Sequence, residues 1–271
     1  LGFFSHAQVW QLIVLMLVAF VVAYIGGLVG LVLGTLRLPP ILFMGYPVAL
    51  AAGTNVAVSA IGAFTGALVH WRARRVHFRT FWVMVVPGMV GGFLGGYFGG
   101  QVPEGILLAL IAIVVAWNGA TILAQVLRTR AGAPAGLQSG MLARAAQNPV
   151  RRGTLEALIS LAIGLLGGAV GLILGTLRLP ALIRLGMDPR VAAGTNLAVA
   201  FPMGALGFGG HLLRGEVDFP LLVGMGIVTV AGSYLGARQT GRISARALQV
   251  LIGSILCIVA LAMIPQAISR W

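Results

Sequence analysis

The stretch Gly-Leu-Val-Leu-Gly-Thr-Leu-Arg-Leu-Pro, residues 30–39, returns almost unchanged as Gly-Leu-Ile-Leu-Gly-Thr-Leu-Arg-Leu-Pro at residues 171–180. The offset of 141 residues continues without a gap, and residues 26–79 share about 24 identities in 54 positions with residues 167–220. This match is far above chance even in a chain rich in Leu, Ala and Gly. The sequence therefore predicts a protein built from two homologous repeats.

The composition predicts that both repeats lie in a membrane. Hydrophobic residues make up 59% of the 271 residues and charged residues only 8%, and the mean hydropathy is +1.02. Soluble domains contain about 45–50% apolar and about 25% charged residues. Because a lipid-facing surface must be apolar as well as the interior, we predict an all-α polytopic membrane protein. A soluble enzyme, a disordered chain and a disulfide scaffold are excluded.

The apolar residues form eight long runs, and one polar stretch separates the fourth run from the fifth. That stretch is rich in Ala, Gly, Arg, Gln and Pro, which is typical of a linker. We therefore predict an N-terminal repeat at 1–127, a basic cytoplasmic linker at 128–153 and a C-terminal repeat at 154–271. The eight runs lie at 9–33, 47–69, 80–100, 105–127, 154–176, 191–213, 219–237 and 245–268.

The basic residues are best explained as topology signals. All 18 of them are arginine, and most fall in short loops between the apolar runs. With only five acidic residues in the chain, the net charge is +13. Such a pattern follows the positive-inside rule, so we do not expect nucleic acid as a partner.

The positions of the arginines favour inverted repeats. Four full crossings per half would make the repeats parallel, with 11 arginines on one side of the membrane and 7 on the other. An odd number of crossings places 15 arginines on the cytoplasmic side and 3 opposite. The number of crossings would be odd if the first segment of each repeat broke at 26–27 and 167–168 and returned to the same side, or if residues 38–50 added a fifth crossing. The stronger bias predicts inverted repeats with 8–10 membrane segments, including broken or re-entrant helices.

The duplicated Gly-Thr-Leu-Arg-Leu-Pro unit provides the first candidate site. A glycine and a proline around Thr-x-Arg are expected to end the preceding helix and to free backbone N–H groups. The arginine adds a permanent positive charge with a planar fork of donors that suits oxyanions. One such arginine alone is equally well explained by snorkelling to the interface, but its recurrence favours an anion site. The candidate residues are Gly34, Thr35, Arg37, Gly175, Thr176 and Arg178.

A duplicated Gly-Thr-Asn unit provides the second candidate site. It comprises Thr54 and Asn55 in the first repeat and Thr195 and Asn196 in the second. Asparagine is costly in lipid unless it is hydrogen-bonded, and both residue types can either donate to an oxyanion or bridge helices. Each asparagine follows its arginine by 18 residues. We therefore expect the segment with the arginine and the helix with the asparagine to meet at the same depth in the membrane.

Several glycines are predicted to serve helix packing. Gly26 and Gly30 are four residues apart, so they leave one helix face open to a close neighbour. The paired glycines of residues 91–100 form two interleaved rows of the same kind, with a weaker echo at Gly232 and Gly236. We expect close helix crossings at all of these positions.

The remaining reactive residues do not predict an enzyme. His70 and His211 each end a helix beside a charged loop, so an interfacial, solvated histidine is favoured over a proton relay. The single cysteine, Cys257, is expected to be a buried small hydrophobe. No metal-ligand spacing and no Walker motif are present, so no cofactor is expected. The acidic residues all lie at or near segment ends and none is placed as a midplane proton carrier; Glu156 is the best candidate if its helix starts deeper in the membrane than predicted.

At these motifs the chain resembles the TauE/SafE family, the sulfite exporter or TSUP transporters, over nearly its whole length. Each repeat has a Gly-rich segment running into Pro, an Ala-x-Gly-Thr helix start, and a loop similar to His-x-x-Arg-Gly-x-Val-Asp-Trp. Asn55 and Asn196 stand where the family commonly has Ser, and Arg37 and Arg178 occupy a usually apolar stretch. The matching segments are 26–39, 52–55 and 70–78, then 167–180, 193–196 and 211–219.

The resemblance implies a transporter of sulfite, sulfonates and related organosulfur anions. We expect a multi-pass protein of the cell membrane that works by alternating access, because duplicated transporters bind substrate between their repeats. Its partners would be a small anionic substrate and the lipid bilayer, and a coupling proton and a homodimer remain open. The alternative is an anion channel, which would share the charged site but conduct electrically.

Overall fold

A computed structural model describes residues 9–29, 31–130, 148–239 and 245–269, and these residues form ten α-helices. The helices, numbered in chain order, are α1 Val9–Val29, α2 Gly34–Phe43, α3 Val48–Arg72, α4 Phe78–Gly99, α5 Glu104–Arg130, α6 Pro149–Ala169, α7 Gly175–Arg184, α8 Pro189–Leu213, α9 Phe219–Arg238 and α10 Ala245–Ser269. The bounds of α7 and α8 are those of α2 and α3 shifted by the same 141 residues that relate the sequence motifs. Most of the predicted linker, residues 131–147, lies outside the described residues.

The architecture confirms an all-α polytopic membrane protein. Seven of the helices in the described ranges are long and apolar enough to cross a bilayer, and α10 carries a shorter apolar segment, Ile252–Pro265. Large side chains such as Trp82 and Ile227 remain exposed on the outside, as expected for helices that face lipid. Helices α3 and α8 are the most buried of the seven and form the centre of the molecule.

The first spanning helix of each repeat ends earlier than the sequence predicted. Helices α1 and α6 end at Val29 and Ala169, and the Gly-Thr-Leu-Arg-Leu-Pro unit begins the next helix instead of ending this one. The reason is visible after α6, where Gly171 adopts φ +70° and the N–H of Leu172 donates to Gly167 O at 2.7 Å. This is a Schellman-type end, for which glycine is the favoured residue.

The glycines before the break serve this turn. In the first repeat the N–H of Leu31 donates to Gly26 O at 3.0 Å, and a Cβ on Gly26 would lie 2.6 Å from Leu31 O. The expectation that Gly26 admits a neighbouring helix is therefore wrong, because its own chain folds back over it. Gly30 lies outside the described residues.

The two short helices, α2 and α7, cannot cross a bilayer alone. Each has ten residues, which corresponds to about 15 Å, half of a hydrocarbon core about 30 Å thick. Each lies between a break and the most buried helix of its repeat. The fold therefore places the candidate arginines inside the protein, at helix ends that surround its centre.

The helices of one repeat pack mainly against those of the other. Helix α1 lies along α9, α4 along α6, α3 along α8 and α5 along α10. A shift of 141 residues converts the pair α1 and α9 into the pair α6 and α4, and it maps the other two pairs onto themselves. This exchange is what a pseudo-two-fold relation between the repeats predicts; their inverted orientation stays a prediction.

The glycine rows provide the closest of these contacts, as predicted for residues 91–100. Glycine allows the backbones to approach until a Cβ would overlap a carbonyl of the facing helix. The equivalent contacts of α1 with α9 show the same approach. The Cβ-to-oxygen distances would be 2.4 Å from Gly91 to Leu161 O, 2.2 Å from Gly95 to Leu165 O, 2.6 Å from Gly232 to Phe20 O and 2.1 Å from Gly236 to Tyr24 O.

Candidate functional site

Two arginines are buried at equivalent places in the two repeats. Arg37 and Arg178 lie in the first turns of α2 and α7, with exposed fractions of 2% and 0%. Among the described residues neither of them forms an ion pair, and the two ion pairs found there are Arg152 with Glu156 and His211 with Glu216. Burying a guanidinium without a carboxylate is costly, so both positions require an explanation.

Arg37 donates three hydrogen bonds to residues of α3. Its Nε donates to Asn55 Oδ1 at 2.8 Å, and its Nη2 donates to the carbonyl of Asn55 at 3.2 Å and to Ser59 Oγ at 2.5 Å. Asn55 and Ser59 are four residues apart and therefore share one face of the helix. Neutral oxygens thus surround the charge on the side that faces α3.

Arg178 also makes three contacts with α8, but they are longer and one of them is to sulfur. Its Nη1 lies 3.3 Å from the carbonyl and 3.5 Å from Oδ1 of Asn196, and its Nη2 lies 3.0 Å from the sulfur of Met203. A thioether is only a weak acceptor. The Nε of Arg178 has no acceptor among the described residues.

The expectation that each arginine meets the asparagine 18 residues later is confirmed in both repeats. Glycine at 34 and 175 makes the approach close, since a Cβ there would lie 2.4 Å from Ser59 Oγ and 2.8 Å from Asn196 Nδ2. The N–H of Gly175 donates to Ile173 O at 2.9 Å, so it is not free for a substrate in this structure.

Asn55 also joins the two repeats. Its Nδ2 donates to Gly34 O at 3.2 Å in its own repeat and to Gly171 O at 2.8 Å at the break of the other. The equivalent Nδ2 of Asn196 has no acceptor among the described residues. The break after α6 is therefore fixed by a side chain of the opposite half.

Thr54 and Thr195 lie at the contact between the repeats and away from the arginines. Thr54 Oγ1 accepts the backbone N–H of Asp218 at 3.0 Å, and Thr195 Oγ1 accepts that of His77 at 2.9 Å. These two bonds are related by the 141-residue shift. Each threonine thus anchors the loop before α9 or α4 to the central helix of the other repeat.

Thr35 and Thr176 differ in their surroundings although both are buried. Thr176 Oγ1 donates to Asn118 Oδ1 on α5, whereas Thr35 Oγ1 has no partner among the described residues. The residue equivalent to Asn118 is Val259, which cannot accept a hydrogen bond. Asn118 was not predicted as a site residue, although an asparagine inside an apolar run is itself a signal of a buried contact.

His211 is not the interfacial, solvated residue that the sequence predicted. It is fully buried, with Nδ1 2.8 Å from Glu216 Oε2 and Nε2 2.9 Å from Gly168 O. Each ring nitrogen therefore faces an oxygen that can accept a hydrogen bond. The side chain fastens the end of α8 to the end of α6, and His70 in the first repeat is only half-buried.

Glu156 is a second buried acid. It lies seven residues into the spanning helix α6, with no exposed surface, and its Oε1 accepts from Arg152 Nε at 2.9 Å and Thr80 Oγ1 at 3.2 Å. Thr80 Oγ1 also lies 3.0 Å from Nδ1 of His77. The other carboxylate oxygen, Oε2, is buried and has no partner among the described residues.

The arrangement suits the binding of a small anion. Each repeat contributes one permanently charged arginine beside amide or hydroxyl groups, shielded from water, which strengthens each charged hydrogen bond. No cluster of three metal-ligating side chains occurs in the described part of the chain. The chemistry that these side chains offer is electrostatic recognition.

Comparisons with known proteins point to the same class. The family model for "Sulfite exporter TauE/SafE" matches residues 15–263. Two proteins of Bacillus subtilis (strain 168) are similar: "Probable membrane transporter protein YdhB" is 24% identical over 84% of this chain and 89% of its own length. "Probable membrane transporter protein YjnA" is 24% identical over 89% and 96%, respectively. No solved structure matches the chain significantly.

Proposed function

The chain belongs to the sulfite exporter TauE/SafE family of membrane transporters, and we propose that it carries small sulfur-containing anions across the cell membrane by alternating access. The substrate class is sulfite, a sulfonate or a related organosulfur anion. The observation that supports this proposal is the pair of buried arginines, Arg37 and Arg178, which have no carboxylate partner among the described residues.

The electrostatics favour an anion over a cation. A buried guanidinium without a counter-ion raises the free energy of the empty protein, and a bound anion would offset that desolvation. A cation in the same place would add to the repulsion between like charges. Two arginines suit a monoanion or a dianion.

The proposed site uses the duplicated residues in two ways. Arg37 and Arg178 supply the charge and Asn55 and Asn196 supply hydrogen bonds beside them, whereas Thr54 and Thr195 hold loops of the opposite repeat. The glycines at 34 and 175 bring the central helices close to the short helices. In alternating access the two halves would rearrange about the breaks after α1 and α6. Asn55 already holds the break after α6, and Thr54 and Thr195 hold the loops before α9 and α4.

The direct test measures flux in proteoliposomes with sulfite, thiosulfate, sulfate, taurine, sulfoacetate and carboxylates. We expect saturable transport of at least one sulfur anion, and we expect Arg178→Ala to abolish it. Arg72→Ala is the matched control, because Arg72 is exposed at the end of α3. Transport of carboxylates alone, or full sulfur-anion transport by Arg178→Ala, would contradict the proposal.

The same panel can be read by thermal shift on purified protein. An anion at 100 times its Kd stabilises the folded state by about 2.7 kcal/mol. Flux that rises linearly with anion concentration and carries a large conductance would favour the channel alternative.

We further propose a proton as the coupling ion and Glu156 as its carrier. The groups that face Glu156 are Arg152 on its own helix and, through Thr80, His77 at the start of α4. An imposed pH gradient should drive anion accumulation in the wild type. Glu156→Gln should still exchange anion for anion but lose the response to the gradient, and an unchanged response would refute this assignment.

A further inference from the structure

The two halves of the proposed anion site are not equally available to a ligand. Arg37 and Arg178 occupy equivalent positions, but the residues around them differ in sequence. Ser59, which accepts from Arg37, has Ala200 as its counterpart, and Met203 replaces Gly62. The difference is therefore encoded in the chain.

In the N-terminal half Arg37 and Asn55 already have acceptors, whereas Thr35 Oγ1 has no partner among the described residues. Arg37 directs its Nε and Nη2 at three oxygens of Asn55 and Ser59, at 2.5 to 3.2 Å. The Nδ2 of Asn55 has two carbonyl acceptors. An anion that bound here would have to replace existing bonds.

The C-terminal half leaves donors without acceptors. Within the described ranges, neither Arg178 Nε nor Asn196 Nδ2 has a hydrogen-bond partner, and both are buried. The two groups are adjacent, because Asn196 Oδ1 lies 3.5 Å from Arg178 Nη1. A buried donor without an acceptor is destabilising, and these two lie beside a full positive charge.

The start of α7 adds to this preference. Arg178 is in the first turn, and Asn196 Nδ2 lies next to Gly175, the first residue of the helix. The positive end of the helix dipole favours negative charge at this place. Charge and helix dipole are present in both halves, but only beside α7 do buried nitrogen donors next to the arginine lack acceptors among the described residues.

We propose that the anion binds directly to Arg178 and Asn196, and that Arg37 with Asn55 and Ser59 is a structural clamp that contributes charge at a distance. This inference rests on the proposed function for the identity of the anion. It assigns a small oxyanion, with at least two acceptor oxygens, to the side of α7 and α8.

The test compares equivalent substitutions by thermal unfolding and by sulfite binding. Arg37→Gln should lower Tm by about 5 °C or more, because it breaks three bonds and leaves Ser59 and Asn55 without their donor. Arg178→Gln should change Tm by less than about 2 °C but weaken sulfite binding at least tenfold. Equal losses of Tm from the two substitutions would overturn the asymmetry, whether or not sulfite binds.

Ala200→Ser gives the sharper variant, because it supplies to Arg178 the acceptor that Ser59 supplies to Arg37. We expect a higher Tm and weaker sulfite binding, while the reciprocal Ser59→Ala lowers Tm. Unchanged or tighter sulfite binding by Ala200→Ser would overturn the assignment. If the wild type binds and transports no sulfur anion, the proposed function fails, and the Tm values still decide the asymmetry.

Discussion

Replacing Gly95 by alanine perturbs the contact between α4 and α6 by one methyl group. The added Cβ would lie 2.2 Å from Leu165 O and 2.8 Å from Ala169 N, both backbone atoms that cannot rotate away. The helices must therefore separate by about 1 Å at this point, and overpacking of this kind costs about 1–3 kcal/mol. Alanine recovers about 1 kcal/mol of helix propensity. These two effects leave a net loss of about 1 kcal/mol, to which loosening of the neighbouring glycine contacts adds.

The assay is reversible unfolding of the purified protein in mixed dodecyl maltoside and SDS micelles, followed by tryptophan fluorescence. Gly209→Ala is the matched control, since Gly209 is a mid-helix glycine with no atom within 4 Å of the added Cβ, and it should be neutral or slightly stabilising. Gly236→Ala tests the equivalent contact of α9 with α1, where the Cβ would lie 2.1 Å from Tyr24 O. If Gly95→Ala were as stable as Gly209→Ala, the backbone contact inferred for the glycine rows would be wrong.

Two other predictions concern the relation between the repeats. Topology reporters fused at Arg74 and Gly215, which are equivalent positions, should report opposite sides of the membrane; the same side for both would refute inverted repeats. Thr54→Val and Thr195→Val each remove the acceptor of one backbone N–H from the other half, so each should lower the free energy of unfolding by about 1–3 kcal/mol. A large loss from only one of the two, measured in the same SDS titration, would contradict their equivalence.

The duplicated motifs were enough to predict the parts of the site that depend on local spacing. Arg37 and Asn55 are 18 residues apart and are connected by one short helix, one turn and the start of one long helix. Their contact therefore follows from local chain geometry, and the structure contains it. The spanning helices followed from apolar length alone. Asn118, buried among them, was missed, although an asparagine is costly in an apolar run.

The rest depended on contacts between distant residues. The Gly-Thr-Leu-Arg-Leu-Pro unit was expected to end the first spanning helix, but the chain turns earlier, on Gly167 and Gly171 in the second repeat. This turn lies close to the alternative break at 167–168, although these glycines look like packing glycines in the sequence. Burial of His211 required α6 to lie beside α8, and the sequence pattern did not indicate that pairing. The difference between the two arginines depends on Ser59 and Ala200, which are ordinary small residues until their neighbours are known.

Because the helices of each repeat pack against those of the other, the order of synthesis determines when this protein can complete its fold. Helix α1 is made roughly 200 residues before α9, which at about 5–20 residues per second is a delay of about 10–40 s. During that interval α1, 21 residues long and apolar apart from Gln11 near its start, can stay in the bilayer as an independent helix. Helix α2 cannot, because it is half as long and carries Arg37. The hydrogen-bond partners of Arg37 all lie on α3, so a nascent chain can pair this arginine as soon as α3 is made, whereas α1 has to wait for α9.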